Sequence, residues 1–339
     1  MDLSLSSEQR QLVDAFSAMY ARLATTERVR AAEPSGFDPE LWRALIEAGV
    51  VEMAVCEASG GLGATNVDLA LVAEQHGRAI APAPLVETQV AACLLAECGD
   101  PGATVLRAVL NGEQIVTFAP RPSRDGRIAL VPAGAIAGAA VALVDDMLIV
   151  APIGKGVRTV ENLGSMPLAD IVLRDDFLVL AEGERAQGLH SAALDRWLML
   201  TSLALVGIAA RAVEIGADYA KQRHAFGTPI GSFQAVSHPL ADSATAVDGA
   251  RLLAYKAACA FVDEPGRASE LAAMAFVFAY ETARDATRHS LHIHGGYGLG
   301  MEQDIQLYYR RARGWAMVYA EPSAVLDRVA DMRYGAVEG

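Results

Sequence analysis

The spacing of apolar residues changes twice along the chain, and these changes divide the sequence into three regions. In the first region, apolar residues recur at helical spacing, and Gly, Pro and Ser-Gly-Gly breaks separate the segments. This pattern predicts an N-terminal helical domain over residues 1–112. Its four predicted helices are Glu8–Leu23, Pro39–Ala48, Val67–Ala79 and Val86–Ala96.

The second region, residues 113–185, loses the helical period. Short runs of β-branched and apolar residues stand between Gly, Pro and paired Asp residues, which is the pattern of strands and turns. A small β domain is therefore predicted. Its candidate strands are Gln114–Thr117, Ile128–Val131, Val141–Val144, Met147–Val150, Val157–Val160 and Ile171–Leu173.

The third region, residues 186–339, returns to helical spacing and predicts a C-terminal helical bundle. Its first helix, about Ser191–Arg223, is apolar on more than one face and carries Gly207 and Gly216. Small residues let helices approach closely. A helix that is apolar around its whole circumference is expected to be buried against partners. The other predicted helices are about Phe233–Val262, Ser269–Ile293, Glu302–Val318 and Ser323–Tyr334.

The net charge and the cysteines limit which binding partners and which cellular compartment are expected for the protein. The chain has 28 basic and 41 acidic residues, a formal net charge of −13, which argues against nucleic acid and anionic membranes as partners. The four cysteines lack metal-ligand spacing, and buried free thiols are typical of a reducing cytoplasm. The segment Met1–Gln9 resembles a helix start more than a signal peptide, and no apolar run of about 18 residues is free of charges and turn formers. These features predict a cytoplasmic protein without a membrane span or a metal site.

Residues 223–234 concentrate the chemistry of the chain. A helix is predicted to end at Phe226-Gly227, and Ser232 is a candidate cap for the next helix. Arg223 offers a planar fork of donors suited to a phosphate, and Phe226 offers a flat face for a ring. Gln234 lies in the first turn of the next helix, close to backbone N–H groups that favour anions. The alternative is an ordinary helix-loop-helix with one salt-bridged arginine.

This stretch resembles the R-x-x-F-G-x-x-I-x-x-F-Q signature of the acyl-CoA dehydrogenase family. A second block begins at His292 and continues through Gly295-Gly296, similar to the family's Q/H-x-x-G-G-x-G turn. A third block, residues 49–63, is similar to the family's glycine-rich N-terminal pattern, although Cys56 stands where the family usually has Pro. The resemblance implies the acyl-CoA dehydrogenase fold: mainly α, with a small central β domain between two helical domains.

The resemblance also implies a cofactor and a reaction. Family members use FAD to desaturate an acyl-CoA thioester between its α and β carbons, and a carboxylate removes the α proton. The residues that match family contacts to the diphosphate and adenosine of a neighbouring subunit's flavin are Arg223, Phe226, Gln234, His292, Gly295 and Gly296. An acyl-CoA substrate and an electron-transfer acceptor are the partners that this reaction implies.

The sequence departs from the family where the catalytic base is expected. The family's Tyr-Glu-Gly-Thr motif is missing, and Glu321 is the only carboxylate near that junction. A gap-free count puts Tyr319 at the base position, and alignment of the tyrosines puts Ala320 there. Glu321 is therefore either a base reached by a shifted loop or simply the residue that leads into the last helix. In members whose base lies on the first bundle helix, the matching position falls near Trp197, with Asp195 just before it.

The β domain departs from the family as well. Members that hold the flavin ring carry a T-E-x-x-x-G-S-D loop and a W-I-T/S-N strand. Here the corresponding loop is Val116–Asp125, and no Trp occurs between Trp42 and Trp197. The matches to outer flavin contacts are thus kept, whereas the matches to ring contacts and to the base are lost.

This combination resembles one half of the heteromeric acyl-CoA dehydrogenases of bacterial sterol side-chain degradation. We therefore predict a subunit that shares a composite flavin site with an unlike acyl-CoA dehydrogenase subunit, two copies of each, and acts on a bulky acyl-CoA such as a steroid-derived one. Two alternatives stay open at this point. One is a self-sufficient homo-oligomeric dehydrogenase that uses Glu321 as its base, and the other is a flavin-free structural subunit.

Overall fold

The computed structural model describes residues 4–154 and 156–335. Over these ranges the chain is mainly helical with a small β region at its centre, which confirms the predicted fold class. The helices are α1 (Ser7–Leu23), α2 (Thr26–Ala32), α3 (Pro39–Glu47), α4 (Asn66–Arg78), α5 (Leu85–Cys98), α6 (Asp100–Leu110), α7 (Gly183–Gln222), α8 (Gln234–Asp263), α9 (Ala268–Ile293), α10 (Ile305–Met317) and α11 (Pro322–Tyr334). The strands are β1 (Val116–Phe118), β2 (Arg127–Val131), β3 (Ala139–Val144), β4 (Met147–Pro152), β5 (Arg158–Thr159), β6 (Ala169–Val172), β7 (Leu178–Glu182), β8 (His224–Ala225) and β9 (Thr228–Pro229).

Two of the helix starts that the sequence located carry strong capping signals. Ser6 and Gln9 form a reciprocal capping box at the start of α1. Asp38 caps α3 through the N–H groups of Glu40 and Leu41, and Pro39 follows at the first helical position. Two short helices were missed. The seven residues of α2 are too few to show a period, and α6 begins with Asp-Pro-Gly, which is typical of a turn.

Two small sheets form the β region. One has the strand order β1-β3-β4-β7, in which β1 and β3 run parallel and the other neighbours run antiparallel. The second is antiparallel, with the order β2-β6-β5. The β3–β4 hairpin turns at Asp145-Asp146, as predicted, and Asp145 takes a left-handed φ of 51°. The strand β7 was not predicted.

By compactness the chain divides into two units. One comprises the described parts of Met1–Thr26, Ala70–Ala81 and Thr201–Gly339, so it combines α1, most of α4, the later part of α7 and helices α8 to α11. The other comprises Glu27–Leu69 and Pro82–Leu200, and it holds both sheets. The three domains predicted from the sequence, 1–112, 113–185 and 186–339, stay a prediction.

Helix α7 is the longest element, with 40 residues. By length and composition alone it is apolar enough to cross a membrane, but 78% of its most apolar window is buried within the protein. That burial is typical of a core helix, and it explains why α7 is apolar on more than one face.

Glycines let α7 approach its neighbours closely. A Cβ added at Gly207 would collide with the backbone of α4 at Glu74 and Arg78. In the same crossing, a Cβ at Gly77 would collide with the backbone of α7 at Ala204. Further along α7, a Cβ at Gly216 would lie 2.8 Å from Ser290 Oγ of α9. The predicted role of Gly207 and Gly216 in close helix packing is confirmed.

Gly207→Ala should therefore destabilise the protein. The atoms that the new methyl group meets belong to backbone and cannot rotate away, so overpacking should lower the free energy of unfolding by roughly 1–3 kcal/mol. The matched control is Gly188→Ala, in the same helix, where a Cβ meets nothing within 4 Å. That change should be neutral or stabilising by up to about 1 kcal/mol, because Ala favours helix more than Gly does. Urea denaturation measures both, and equal midpoints for the two variants would show that the crossing has room for a side chain.

Candidate functional site

A two-residue hairpin follows α7 and carries the first predicted site residues. Strands β8 and β9 pair through His224 with Pro229 and through Ala225 with Thr228. The turn residues Phe226 and Gly227 both take left-handed backbone, with φ of 55° and 83°. Two positive φ values are what a tight hairpin of this twist requires. The helix was predicted to end at Phe226-Gly227, but it ends at Gln222, because the hairpin takes up the next residues.

Phe226 is almost completely exposed, at 98% of its full accessible surface. Its one ring contact in the described chain is with Phe233, edge to face, with the ring centroids 6.2 Å apart. Apart from that contact, the ring buries little apolar surface within this chain, and a left-handed backbone is unusual for a bulky residue.

Arg223 links α7 to this hairpin through its backbone. Its N–H donates to the Tyr219 carbonyl at 2.9 Å, and its own carbonyl accepts from the Ile230 N–H at 2.8 Å. Its side chain is exposed, and within residues 4–154 and 156–335 the guanidinium has no hydrogen-bond or ion-pair partner. Arg223 is therefore a fixed backbone position that presents a free cation to its surroundings.

The start of α8 is open. Phe233 is its N-cap residue and supplies no side-chain cap. The predicted cap, Ser232, is wrong: its Oγ donates to the Pro229 carbonyl at 2.7 Å, because a short 3-10 turn over Ile230–Ser232 places it one residue too early. Gln234 is exposed at the first position of this 30-residue helix. The N-terminus of such a helix attracts anions.

The end of α9 forms the third part of the site. His294 is buried, and its Nδ1 donates to the Ser290 carbonyl at 2.7 Å. Gly295 takes a left-handed φ of 62°, and a Cβ at either Gly295 or Gly296 would meet nothing within 4 Å. His292 is exposed on the last turn of the helix. The di-glycine turn therefore leaves its backbone accessible.

Two contacts bring these parts together within one unit. The rings of Tyr219 and His294 stack with centroids 4.1 Å apart, so the last turn of α7 lies on the end of α9. Ser243 of α8 and His289 of α9 are 2.9 Å apart between Oγ and Nδ1. The start of α8 and the end of α9 then lie at the same end of that helix pair. We call the surface formed there by Arg223, Phe226, Gln234, His292, Gly295 and Gly296 the helix-end face.

The helix-end face depends on residues that the sequence did not single out as site residues. Neither Tyr219 nor His294 was predicted to contribute to the site. Their sequence signal is positional: Tyr219 lies one turn before Arg223, and His294 lies just before the di-glycine turn. A stacked pair at these positions explains why the blocks meet although about seventy residues of chain separate them.

Glu321 lies at the N-cap of α11 and is exposed. Its carbonyl accepts from the Ala324 N–H at 3.0 Å, and Pro322 occupies the first helical position. Its carboxylate has no hydrogen-bond or ion-pair partner in the described part of the chain. This is the arrangement of a residue that leads into a helix. No contact holds the carboxylate against the helix-end face.

Strand β1 and the loop after it, which correspond to the family's flavin-ring loop, fold onto their own unit. The buried Thr117 hydroxyl donates to the Pro132 carbonyl at 2.5 Å. The Ala119 N–H donates to the Val141 carbonyl at 2.9 Å, and His190 Nε2 lies 3.1 Å from the Ala119 carbonyl. Further on, the Ser123 N–H donates to the Leu143 carbonyl at 2.8 Å. These polar groups are engaged within the protein.

Two family models match the chain. Residues 6–112 match the N-terminal domain of acyl-CoA dehydrogenases, and residues 190–318 match their C-terminal domain. Acyl-CoA dehydrogenase IpdE2 of Mycolicibacterium smegmatis is 33% identical over 95% of this chain and 98% of its own length. The protein of the same name from Mycobacterium tuberculosis is 30% identical over 95% of this chain and 96% of its own length.

Solved structures share the fold over nearly the whole chain. A variant of the Tcur3481–Tcur3483 steroid ACAD superposes with a TM-score of 0.88 at 28% identity, covering 97% of this chain and 98% of that one. The ChsE4–ChsE5 complex from Mycobacterium tuberculosis superposes with a TM-score of 0.89 at 24% identity, covering 99% and 100%.

The fold and these matches define an FAD-dependent oxidoreductase that acts on CH–CH bonds. The chain belongs to the acyl-CoA dehydrogenase family.

The exposed hairpin turn generates a stability prediction. Phe226→Asn should raise the free energy of unfolding by about 1 kcal/mol, because Asn tolerates left-handed backbone far better than Phe and Asn-Gly is the preferred pair in this turn. Phe226→Leu is the control, since it keeps an apolar side chain on the same backbone and should bring no gain. Thermal or urea unfolding of the isolated chain provides the measurement. If Asn is as stable as Leu or less so, the left-handed turn is not a source of strain.

Proposed function

We propose that this chain is one subunit of an FAD-dependent acyl-CoA dehydrogenase that catalyses α,β-desaturation of a bulky acyl-CoA and shares a composite flavin site with an unlike partner subunit. The observation that carries the proposal is the helix-end face. It combines an unpaired Arg223, an open helix N-terminus and an accessible di-glycine backbone, and it lies on an exposed surface. Donors on such a surface suit a ligand that is held mainly by another chain.

The residues of the helix-end face fit the diphosphate half of FAD. A guanidinium fork makes bidentate, charge-assisted hydrogen bonds to phosphate oxygens. The N-terminus of α8 adds a positive dipole end beside Gln234. A side chain at Gly295 or Gly296 would occupy the space through which a ligand reaches that backbone, and the exposed ring of Phe226 can lie against an adenine. The bound flavin supplies the hydride acceptor of the reaction, and the residues named here would hold and orient its distal end.

The flavin ring is assigned to the partner. In this chain Thr117, Ala119 and Ser123 of the matching loop are already hydrogen-bonded within the β region and to its flanking helix. Making those groups available to a ring would require breaking these bonds, and Thr117 and Ala119 are buried, so their loss would be costly. This arrangement supports a division in which one subunit holds the ring and the other holds the diphosphate.

An unlike partner and a steroid-like substrate are supported by the related steroid ACAD, which is named for two chains, Tcur3481 and Tcur3483. The exposed Phe226 and Tyr297, at 98% and 71% of their full surface, give this side of the molecule an apolar character that a subunit contact would cover. Electrons from the reduced assembly would pass to an electron-transfer acceptor, as the reaction requires.

The catalytic base is also assigned to the partner. A base must lie within hydrogen-bond reach of the proton that it takes. Glu321 is exposed at a helix start, and the position on α7 that matches an alternative base site holds the buried Trp197. The homo-oligomeric alternative would need Glu321 to leave this position.

Arg223→Ala should weaken FAD retention in the assembled enzyme. Loss of a charge-assisted pair with a phosphate removes roughly 1.5–3 kcal/mol of binding free energy, which corresponds to a dissociation constant about 10- to 150-fold higher. The control is Lys221→Ala, which removes an exposed cation two residues away that pairs with Asp218 at 3.1 Å and should leave retention unchanged. FAD titration by fluorescence measures both. Equal affinity for the Arg223 variant and the parent protein would refute the diphosphate contact.

Glu321→Gln should leave turnover nearly unchanged. If the partner supplies the base, neutralising an exposed residue at a helix start removes nothing from the chemistry. Loss of a positioned base lowers the rate by on the order of 10²–10⁴-fold. Steady-state turnover, with FAD content and unfolding midpoint as controls, decides the point. A loss of that size in a folded, flavin-replete variant would make Glu321 the base and favour the homo-oligomer.

The proposed function is tested by reconstitution. The chain is expressed alone and together with the product of an adjacent dehydrogenase-like gene, and dye reduction is measured with a steroid-derived and a straight-chain acyl-CoA. Activity only in the co-expressed sample, with the bulky substrate preferred, is the expected result. Full activity of the chain alone would overturn the unlike-partner proposal, and absence of activity in both samples, with FAD bound in neither, would favour the structural subunit.

A further inference from the structure

The stacked rings of Tyr219 and His294 connect two separate parts of the helix-end face. Their centroids lie 4.1 Å apart and their planes are inclined by 24°. Tyr219 precedes Arg223 by about one helical turn, and His294 directly precedes the di-glycine turn at Gly295-Gly296. The stack therefore joins the element that carries Arg223 to the element that carries the turn, at a point close to both.

Arg223 depends on Tyr219 for its position. Helix α7 ends at Gln222, and helix ends fray unless other contacts hold them. The Arg223 N–H donates to the Tyr219 carbonyl at 2.9 Å, and this bond closes the last turn. A helical side chain covers the surface N-terminal to its own Cα, so the Tyr219 ring packs below the turn that leads to Arg223. Docking of this ring on the end of α9 holds the backbone from which the guanidinium extends.

His294 holds the di-glycine turn. It is the C-cap residue of α9, and its backbone N–H and its Nδ1 both donate to the Ser290 carbonyl, at 3.3 and 2.7 Å. The chain turns in left-handed backbone at Gly295, with φ of 62°. It then returns to α9, because a Cβ at Gly298 would lie only 2.5 Å from the Leu291 carbonyl oxygen and 3.1 Å from His294 Cβ. The residues before and after the turn are thus both packed at the end of α9.

The contact between the two rings is aromatic. The Tyr219 hydroxyl makes no hydrogen bond within residues 4–154 and 156–335, and the Nδ1 proton of His294 is used by Ser290. Stacked rings have a preferred distance and tilt, so this contact limits how far the ends of α7 and α9 move relative to each other. A ligand held at two points binds more tightly when the two points already have the correct spacing, because ordering them on binding costs free energy.

We propose that Tyr219 and His294 are positioning residues, whose stacked rings hold Arg223 and the di-glycine turn at the separation that lets both contact one diphosphate. The part of this inference that concerns FAD rests on the proposed function, whereas the rigid connection between the two elements does not. The contributions of Tyr219 and Arg223 to FAD binding are then coupled. A fixed separation adds nothing to affinity once one of the two contacts is absent.

A double-mutant cycle on the purified assembly tests the coupling. The variants are Tyr219→Ala, Arg223→Ala and the combination of both, and fluorescence titration gives the FAD dissociation constant of each. Tyr219→Phe keeps the stacked ring and removes only the hydroxyl. Trp315→Leu is the matched control, because it removes another stacked pair of the same compact unit, His76 with Trp315, whose centroids lie 5.7 Å apart.

Tyr219→Ala should raise the FAD dissociation constant at least about fivefold, within the range that coupled neighbours show. In the Arg223→Ala background the same change should alter it less than about twofold, and Tyr219→Phe and Trp315→Leu should each stay within about twofold of the parent. The same factor with and without Arg223 would overturn the positioning role. Equal losses in Tyr219→Phe and Tyr219→Ala would overturn it as well, because they would assign the effect to the hydroxyl.

Amide hydrogen exchange of the flavin-free assembly tests the rigid connection independently of the cofactor. Tyr219→Ala should accelerate exchange at least about threefold in residues 222–230 and also in residues 294–300, because the stack holds both, and Trp315→Leu should match the parent in both segments. Acceleration confined to residues 222–230 would overturn the connection. If both segments respond while FAD binding is indifferent to Arg223, the connection is upheld and the proposed diphosphate contact is refuted instead.

Discussion

In the C-terminal half of α7, glycines stand where a side chain would keep the neighbouring helices apart. The close packing that they allow determines the position of the helix-end face. Gly207 lets α7 cross α4 with the two backbones in contact, and Gly216 lets it pass Ser290 of α9 at close range. Because packed interiors have little free volume, these crossings hold α7 at a fixed rotation and height. The stacking of Tyr219 on His294 then determines where Arg223 leaves the helix.

The helix-end face carries features that are costly for a protein on its own. It holds a left-handed phenylalanine in solvent, an arginine without a counter-ion within the described residues, and a long helix that starts without a side-chain cap. Each of these departs from what an isolated chain would favour. Departures that cluster at one place are typical of a site whose ligand or partner completes it. The β region shows the opposite state, since the polar groups of its loop after β1 are already engaged.

Much of this could be predicted from the sequence, and the limits have physical causes. Ser6 and Asp38 mark helix starts because their side chains bond locally, so the pattern is visible in a few consecutive residues. The glycines of α7 were recognised as packing positions because small residues within an apolar helix are also visible in the sequence itself. The helix-end residues were grouped through a family resemblance, and their roles in binding stay predictions. Periodicity could not reveal the stacking of Tyr219 on His294 or the bond between Ser243 and His289, because both join residues distant in the chain. Ser232 was misassigned as a cap because a 3-10 turn of three residues leaves no periodic signal.

The central claim is that this chain contributes the outer contacts of a flavin whose ring is held by a different subunit. Native mass spectrometry of the purified assembly tests it most directly, because it counts each chain and each FAD in one intact particle. The account predicts particles that contain equal numbers of this chain and an unlike partner, with one FAD for each unlike pair, and no FAD on this chain alone. A particle made only of this chain, with one FAD for every copy, would contradict it.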